Sequence, residues 1–180
     1  MFSEQGAVIV DADVIARDVV QKGTPAWEKI RAEFGDEILL DSREIDRDKL
    51  GDIIFNDTAK KKLLNRIVHP AVFEKMGERI KTIEEDTPDA LVMLDVPLLI
   101  ESGMQDGFSH VILVYVTEDI QVKRLMARDG YSEQDAYARI RSQMPIDEKK
   151  DKVDIVIDNS RGPAHTREQV LDVYTRLSGK

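Results

Sequence analysis

Four short runs of apolar residues, separated by helical patterns, limit the folds open to this 180-residue chain. They occupy residues 7–10, 91–94, 111–116 and 155–157, and each is followed by Asp or Thr. Near-continuous apolar runs, as opposed to alternating ones, are typical of parallel strands that are covered on both faces. Because the intervening segments are helical by pattern, the sequence predicts an α/β fold with a parallel sheet and helices on both of its faces.

Helix boundaries are marked by local signals. Thr24 and Pro25 indicate an N-cap and a first helical residue, and Gly35 marks the end of that helix. Ser132 with Asp135 resembles a capping box for a helix that continues through residue 141.

The stretch between residues 20 and 88 is helical by pattern throughout, so we expect a lobe beside the sheet. His69 and Pro70 are expected to join two helices, with Pro70 at the start of the second. A lone His before Pro is more often a structural hydrogen-bonding residue than a catalyst. Three scattered histidines also disfavour a zinc site.

Composition excludes several classes of protein. The chain has no cysteine, so disulfides and thiolate metal sites are excluded, and a cytoplasmic location is expected. No apolar run approaches the length of a membrane span, and the first residues do not resemble a secretory signal. The net charge of −9 disfavours nonspecific binding of nucleic acid, but it leaves room for a local basic pocket that binds a small phosphorylated ligand.

Two carboxylates follow the first apolar run. Asp11 and Asp13 are two residues apart and could face one cleft, where a carboxylate could accept a proton from a substrate hydroxyl. Arg17, one helical turn further on, could hold an anion. The alternative is that Asp11 or Asp13 caps a helix and that Arg17 is a surface charge.

Asp95 ends the second apolar run, where an aspartate often organises Mg²⁺, although many strands end in Asp for turn chemistry alone. Pro97, Leu98 and Leu99, followed by Glu101, form an apolar loop at the same edge. This loop either lines a ligand pocket or anchors a connection.

Basic residues cluster between positions 118 and 152. Such a cluster over an anionic cleft would stabilise charge on a transferred phosphoryl group, but nearby acidic residues also allow a solvated, paired surface. The cluster comprises Arg124, Arg128, Arg139, Arg141, Lys149 and Lys150.

The order of these motifs along nearly the whole chain resembles that of the dephospho-CoA kinases. The motifs are VDADVIAR at 10–17, IVHP at 67–70, DVPLLIE at 95–101, RLMAR at 124–128, RIRSQMP at 139–145 and VIDN at 156–159. The resemblance implies a P-loop, nucleoside-monophosphate-kinase-like fold. It also implies transfer of the ATP γ-phosphate to the 3′-hydroxyl of dephospho-CoA, the last step of coenzyme A synthesis, with Mg²⁺.

The resemblance also implies that the chain has three functional parts. The core would comprise residues 1–20, 89–120 and 153–180, the helical CoA-binding subdomain residues 21–88, and the lid residues 121–152. The alternatives are a non-catalytic protein that binds CoA nucleotides and another small-molecule kinase of the same superfamily.

At the site of the phosphate acceptor, dephospho-CoA, the resemblance implies that Asp13 is the general base on the 3′-hydroxyl. Arg17 and the loop at 97–99 would face dephospho-CoA, with Asp11, His69 and Glu101 nearby.

On the ATP side, the resemblance makes Arg128 and Lys149 lid cations near the phosphates and places Asn159 beside the adenine. Arg124 and Arg141 are further candidates for the phosphates, and Asp95 is the candidate for Mg²⁺.

One feature of the family is missing from this sequence. None of its ten glycines lies in a Gly-x-x-x-x-Gly-Lys-[Ser/Thr] loop, and the only Gly-Lys pair is at residues 179–180. Residues 2–6 look like the last turn of a helix with a glycine stop. We therefore expect that a strand, central in the sheet, and the phosphate loop precede Met1 in a longer protein, and that the 180-residue chain is inactive without them.

Overall fold

The computed structural model describes residues 1–179 and contains parallel strands and helices, as the sequence predicts. The strands are β1 (Val8–Asp11), β2 (Val92–Asp95), β3 (Ile112–Tyr115) and β4 (Ile155–Asp158). The helices are α1 (Ala12–Asp18), α2 (Pro25–Phe34), α3 (Arg47–Asn56), α4 (Thr58–Asp86), α5 (Glu118–Asp129), α6 (Glu133–Arg141), α7 (Ile146–Lys150) and α8 (Pro163–Ser178). All four predicted strands lie within a residue or two of their expected positions, so the α/β prediction is confirmed.

The strands pair in two parallel ladders. β1 pairs with β2, which sets Asp11 beside Asp95, and β3 pairs with β4, which sets Tyr115 beside Asp158. The chain divides into two compact units, one of Val8–Val96 and the other of Met1–Ala7 with the chain from Pro97 onward. We call them the β1–β2 unit and the β3–β4 unit. The three-part division by function stays a prediction.

The β1–β2 unit has two hydrophobic clusters, one against each half of α4. In the first, Trp27, Ile30 and Phe34 of α2 pack with partly buried side chains from the first half of α4. In the second, Val10 of β1 packs with Met76 and other residues of the second half. The helix thus carries the core of the whole unit.

Pro70 lies inside α4, and the prediction that it begins a new helix was wrong. Proline removes one backbone donor and crowds the preceding turn, which usually breaks or kinks a helix. Here the helix runs on because apolar side chains on both sides of Pro70, such as Ile67 and Val72, are held in the two clusters. Tertiary packing therefore outweighs the local cost of the proline.

The β3–β4 unit is built on α8. Ile155 and Ile157 of β4 pack against Val170 and Val173 of α8, and Phe2 joins this cluster. The short turn at Ser3–Gln5 ends at Gly6, whose φ of 105° suits glycine, as the sequence predicts.

The predicted caps are present. The Thr24 side chain accepts a hydrogen bond from the Trp27 amide, and the α2 helix ends at Gly35. The Ser132 hydroxyl accepts a hydrogen bond from the Asp135 amide at the start of α6. No helix in residues 1–179 is both long and apolar enough to cross a membrane.

The strands are not covered equally on both faces. Val8 and Val10 of β1 pack into the second cluster of their unit, whereas Ile9 between them is 43% exposed. In the other ladder, Val114 is 55% and Val156 is 42% exposed. These strands therefore expose apolar side chains to solvent, although their sequences are typical of buried strands.

Candidate active site

Aspartates meet at the carboxyl end of the β1–β2 ladder. Asp11 and Asp95 are the last residues of their strands and are partners in the register, and Asp13 lies in the first turn of α1. Ligands of parallel sheets bind at this edge. The structure thus brings together three carboxyl groups that the sequence singled out from segments far apart.

Asp11 is the N-cap of α1. Its Oδ1 accepts hydrogen bonds from the amides of Asp13, at 2.8 Å, and Val14, at 3.0 Å. The capping alternative is therefore confirmed for Asp11. Asp13, in contrast, is exposed, and within the described residues its carboxylate accepts no hydrogen bond. That carboxylate is free to act on a ligand.

The surroundings of Asp95 change the pKa of its carboxyl group. Partial burial of its carboxyl, followed by the negative charges of Asp11 and Asp13, raises the pKa of Asp95 above its ordinary value. Ionised Asp95 is thus a source of repulsion that a bound cation would relieve.

The raised pKa of Asp95 predicts a pH dependence of stability. Because the pKa of Asp95 is raised in the folded state, the folded chain binds a proton there more tightly than the unfolded chain, and stability falls as pH rises through these values. Asp95→Asn should therefore increase the free energy of unfolding at pH 7, and the gain should vanish at about pH 3, below the ordinary aspartate pKa, where the wild-type carboxyl is protonated in both the folded and the unfolded chain. Urea denaturation at both pH values measures this, and an equal gain at both would contradict it.

Arg17 lies one turn beyond Asp13 on α1. Residues four apart share a helix face, so the guanidinium and the Asp13 carboxylate are neighbours on one surface. Arg17 is exposed and, within the described residues, makes no ion pair. It is available to an anionic ligand of the same site.

His69 is exposed on α4, in the same unit. Its ring meets the edge of the Phe73 ring, with centroids 6.5 Å apart. Within residues 1–179 its side chain makes no hydrogen bond, so the structural role expected of a histidine before proline is not seen. Its assignment to the substrate stays a prediction.

The apolar loop after β2 belongs to the β3–β4 unit. Leu98 is 49% exposed, whereas Ile100 is buried and anchors the loop. An exposed leucine next to a buried isoleucine leaves an apolar surface that a ligand can cover.

Glu101 and Lys149, predicted to bind the substrate and ATP respectively, contact each other. Lys149 Nζ lies 2.6 Å from Glu101 Oε1, and the side chains are 9% and 20% exposed. Burial is the largest influence and by itself would raise the pKa of Glu101, but the hydrogen bond and charge of Lys149, together with hydrogen bonds from the backbone of Glu101 and Met144, hold that pKa below its usual range. The pair ties α7 to the loop after β2.

Arginines of α5 and α6 and the residue that follows β4 lie around one cavity. Arg124 donates a hydrogen bond of 2.8 Å to the backbone carbonyl of Asn159, and both residues were predicted to bind ATP. A cavity of about 740 Å³ lies beside them, and Arg124, Arg128 and Arg139 are among its lining residues. This volume is in the range of small-ligand sites.

Tyr131 is a cavity residue that sequence reasoning missed. The Arg139 guanidinium lies over its ring, 4.1 Å from the centroid. Tyr131 lies in the turn between α5 and α6, and its contact with Arg139, eight residues further on in α6, follows no periodic signal because it depends on the shape of that turn. Tyr131 provides a flat aromatic surface next to the arginines.

Two predicted ATP ligands already have carboxylate partners. Arg128 pairs with Asp129 at 2.8 Å and still lines the cavity, whereas Arg141 pairs with Glu118 at 2.9 Å and is not among the residues that line it. Within residues 1–179, no group of three or more His, Cys, Asp or Glu side chains is arranged to hold a metal ion. A cation at Asp95 would therefore need ligands from its substrate or from water.

Aspartates at the ends of parallel strands in one unit and an arginine-lined cavity in the other are features of α/β phosphotransferases. The comparisons with known proteins identify which one. The model of the dephospho-CoA kinase family, CoaE, matches residues 1–164, and the chain belongs to that family. Named relatives in this family are ATP-dependent transferases.

Similar proteins match along nearly the whole chain. The dephospho-CoA kinase of Carboxydothermus hydrogenoformans is 44% identical over 180 residues, which are 100% of this chain and 87% of that protein. The dephospho-CoA kinase of Oceanobacillus iheyensis is 47% identical over 98% of this chain and 88% of its own.

Two solved structures resemble this one. The structure of TT1252 from Thermus thermophilus has a TM-score of 0.84 and 30% identity, and the match covers 97% of this chain and 86% of that one. Dephospho-CoA kinase from Campylobacter jejuni has a TM-score of 0.72 and 31% identity, with 98% and 88% covered.

Proposed function

We propose that this chain serves the transfer of the γ-phosphate of ATP to the 3′-hydroxyl of dephospho-CoA, the final step of coenzyme A synthesis, in the cytoplasm, and that turnover also requires a glycine-rich phosphate loop. The observation that carries the proposal is the exposed Asp13 carboxylate, without hydrogen bonds in the described residues, one turn from an unpaired Arg17. The dephospho-CoA kinases to which the chain is similar support the choice of substrates.

On the acceptor side, Asp13 is the general base. Its free carboxylate takes the proton of the 3′-hydroxyl as the oxygen attacks phosphorus, while Asp11 holds the first turn of α1 in place through its cap. Arg17 binds an anionic group of the acceptor, and His69 lies further along the same unit. The exposed Leu98 and its neighbours in the loop cover apolar parts of the acceptor.

On the ATP side, the arginine-lined cavity supplies the positive charge. Arg124 and Arg128 stabilise the charge that develops on the transferred phosphoryl group, and Asn159, fixed by its contact with Arg124, lies beside the adenine. Arg141 and Lys149 reach the phosphates only if their pairs with Glu118 and Glu101 open. They are therefore secondary ligands in this proposal.

Asp95, the last residue of β2, fits Mg²⁺ as a single protein ligand. Carboxylate oxygens are the hard donors that this ion prefers, and it is usually held by one or two carboxylates together with phosphates and water. The charge repulsion at Asp95 favours a cation there. Bound Mg²⁺ would neutralise charge on the ATP phosphates, with Asp95 as its protein ligand.

The test is ATP-dependent conversion of dephospho-CoA to coenzyme A, followed by chromatography. The 180-residue chain is assayed beside a form preceded by a strand and a glycine-rich phosphate loop. We expect turnover from the longer form, because positioning of the phosphates supplies most of the catalysis of this reaction. Failure of both forms to make coenzyme A would contradict the proposed function, and turnover by the 180-residue chain would contradict the predicted need for the loop.

A further inference from the structure

Helix α8 holds the loop that follows β4 through two polar side chains that the proposed mechanism does not use. They are Thr166, which is buried, and Gln169, on the same face of the helix. Gln169 binds the backbone of Asp158 twice, because its Oε1 accepts a hydrogen bond of 2.9 Å from the Asp158 amide and its Nε2 donates one of 2.8 Å to the Asp158 carbonyl. The last residue of β4 is therefore fixed to α8.

Asn159, the next residue, is held through its backbone and its side-chain oxygen. Its amide donates a hydrogen bond of 2.9 Å to the Tyr115 carbonyl, and its carbonyl accepts one of 2.8 Å from Arg124. The Thr166 hydroxyl donates to Asn159 Oδ1 at 3.0 Å, and the Gly162 carbonyl is a second acceptor of this hydroxyl at 3.2 Å. The loop is thus tied to β3, α5 and α8.

The side-chain nitrogen of Asn159 is the polar group that these contacts leave over. A carboxamide has one acceptor oxygen and a nitrogen with two N–H donors. Because Thr166 holds the oxygen, the orientation of the whole carboxamide is fixed, yet Nδ2 donates no hydrogen bond within residues 1–179. A donor that is oriented in advance binds a ligand acceptor at a small entropic cost, and it discriminates against ligands that lack the acceptor.

We propose that Thr166 is a positioning residue for ATP, which orients the Asn159 carboxamide so that Nδ2 donates a hydrogen bond to a ring nitrogen of the adenine. The inference rests on the proposed function, in which Asn159 lies beside the adenine. Adenine offers its ring nitrogens N1, N3 and N7 as acceptors. Thr166 is buried and contacts Asn159, so it acts on the nucleotide through that residue alone.

The test exchanges the two substituents of the Thr166 side chain separately. Thr166→Val keeps the shape but removes the hydroxyl, whereas Thr166→Ser keeps the hydroxyl but removes the methyl group. Binding of ATP with Mg²⁺ is measured by calorimetry, without dephospho-CoA, in the form of the protein that makes coenzyme A. We expect Thr166→Val to weaken ATP binding about fivefold, the usual contribution of one hydrogen bond, and Thr166→Ser to bind ATP as the wild type does.

Two further sets of ligands separate orientation of the carboxamide from a general effect on the fold. Inorganic tripolyphosphate has no base, so it should bind equally well to the wild type and to both variants. One of 1-deaza-, 3-deaza- and 7-deaza-ATP lacks the nitrogen that Nδ2 contacts and should bind the wild type about fivefold more weakly than ATP. Thr166→Val should not weaken the binding of that analogue further, because the contact is already absent.

Thr175→Val is the matched control. Thr175 lies on the same helix and is exposed, and its hydroxyl makes no hydrogen bond within the described residues, so ATP binding should be unchanged. Unchanged ATP binding in Thr166→Val, a loss as large in Thr166→Ser, equal losses for ATP and tripolyphosphate, or deaza analogues that all bind as tightly as ATP would each overturn the inference and leave the proposed function in place. Failure of every form to make coenzyme A would overturn the proposed function, and this inference with it.

Discussion

Asp13→Asn should lower the rate of phosphoryl transfer by about 10²–10⁴-fold, the usual contribution of a general base. The substitution keeps the shape of the side chain but removes its ability to take the 3′-hydroxyl proton. Because Asp11, not Asp13, caps α1, the helix should form as before. The rate is measured in whichever form of the protein turns over in the coupled assay, together with the affinity for dephospho-CoA.

Asp18→Asn is the control for this experiment. Asp18 lies on the same helix and is exposed, and its carboxylate accepts a hydrogen bond from Gln21 at 3.0 Å. Its substitution should leave the rate unchanged. A normal rate for Asp13→Asn would rule out the assignment of Asp13 as base, and a parallel loss of affinity would show that Asp13 binds the substrate instead of acting on its proton.

Lys149→Met should cost about 3 kcal/mol in the free energy of unfolding, at the lower end of the range for breaking a buried ion pair, because Glu101 keeps a fifth of its side chain exposed. The substitution leaves the Glu101 carboxylate buried without its cation. Urea denaturation at pH 7 measures the loss. The double variant with Glu101→Gln removes both charges and should recover much of the stability.

The loss should also depend on pH. Lys149 holds the pKa of Glu101 below its usual range, so this pair contributes stability above the ordinary carboxyl pKa, and the contribution disappears as pH falls through the lowered value. The difference between wild type and Lys149→Met should therefore shrink in acid. A difference that is independent of pH would mean that Lys149 stabilises the chain by packing alone.

Lys150→Met provides the comparison for the buried pair. Lys150 is the next residue of α7 and pairs with Asp147 at 2.7 Å, but its side chain is 37% and that of Asp147 69% exposed. Exposed pairs contribute little to stability, so this variant should change the free energy of unfolding far less. Equal losses at the two positions would contradict the importance of burial.

Local signals were sufficient for the four strands and for several helix ends. Apolar runs predicted the four strands because a buried parallel strand needs no polar face. Thr24, Gly35 and Ser132 marked helix ends because capping groups act on amides and carbonyls only a few residues away. Pro70 was misread for the same reason, since the local rule contains no information about the clusters on either side of it.

The candidate site was predictable in part. The residue types at the strand ends, Asp11, Asp13 and Asp95, could be recognised from their position after apolar runs, because parallel strands bring such ends to one edge. The sequence could not show which aspartate caps α1 and which is free, because both fit the same spacing. The hydrogen bonds to Asp11 distinguish them.

Contacts between segments distant in sequence required the three-dimensional structure. No periodicity predicts that Lys149 meets Glu101 or that Arg124 reaches the Asn159 carbonyl. Periodicity and capping reflect forces that act within a few residues of chain, and they are sufficient to predict the strands and several helix ends. The order of the motifs is read directly from the sequence. Pairing of buried charges and the walls of cavities depend on how helices and loops pack, and this packing is a property of the folded chain as a whole.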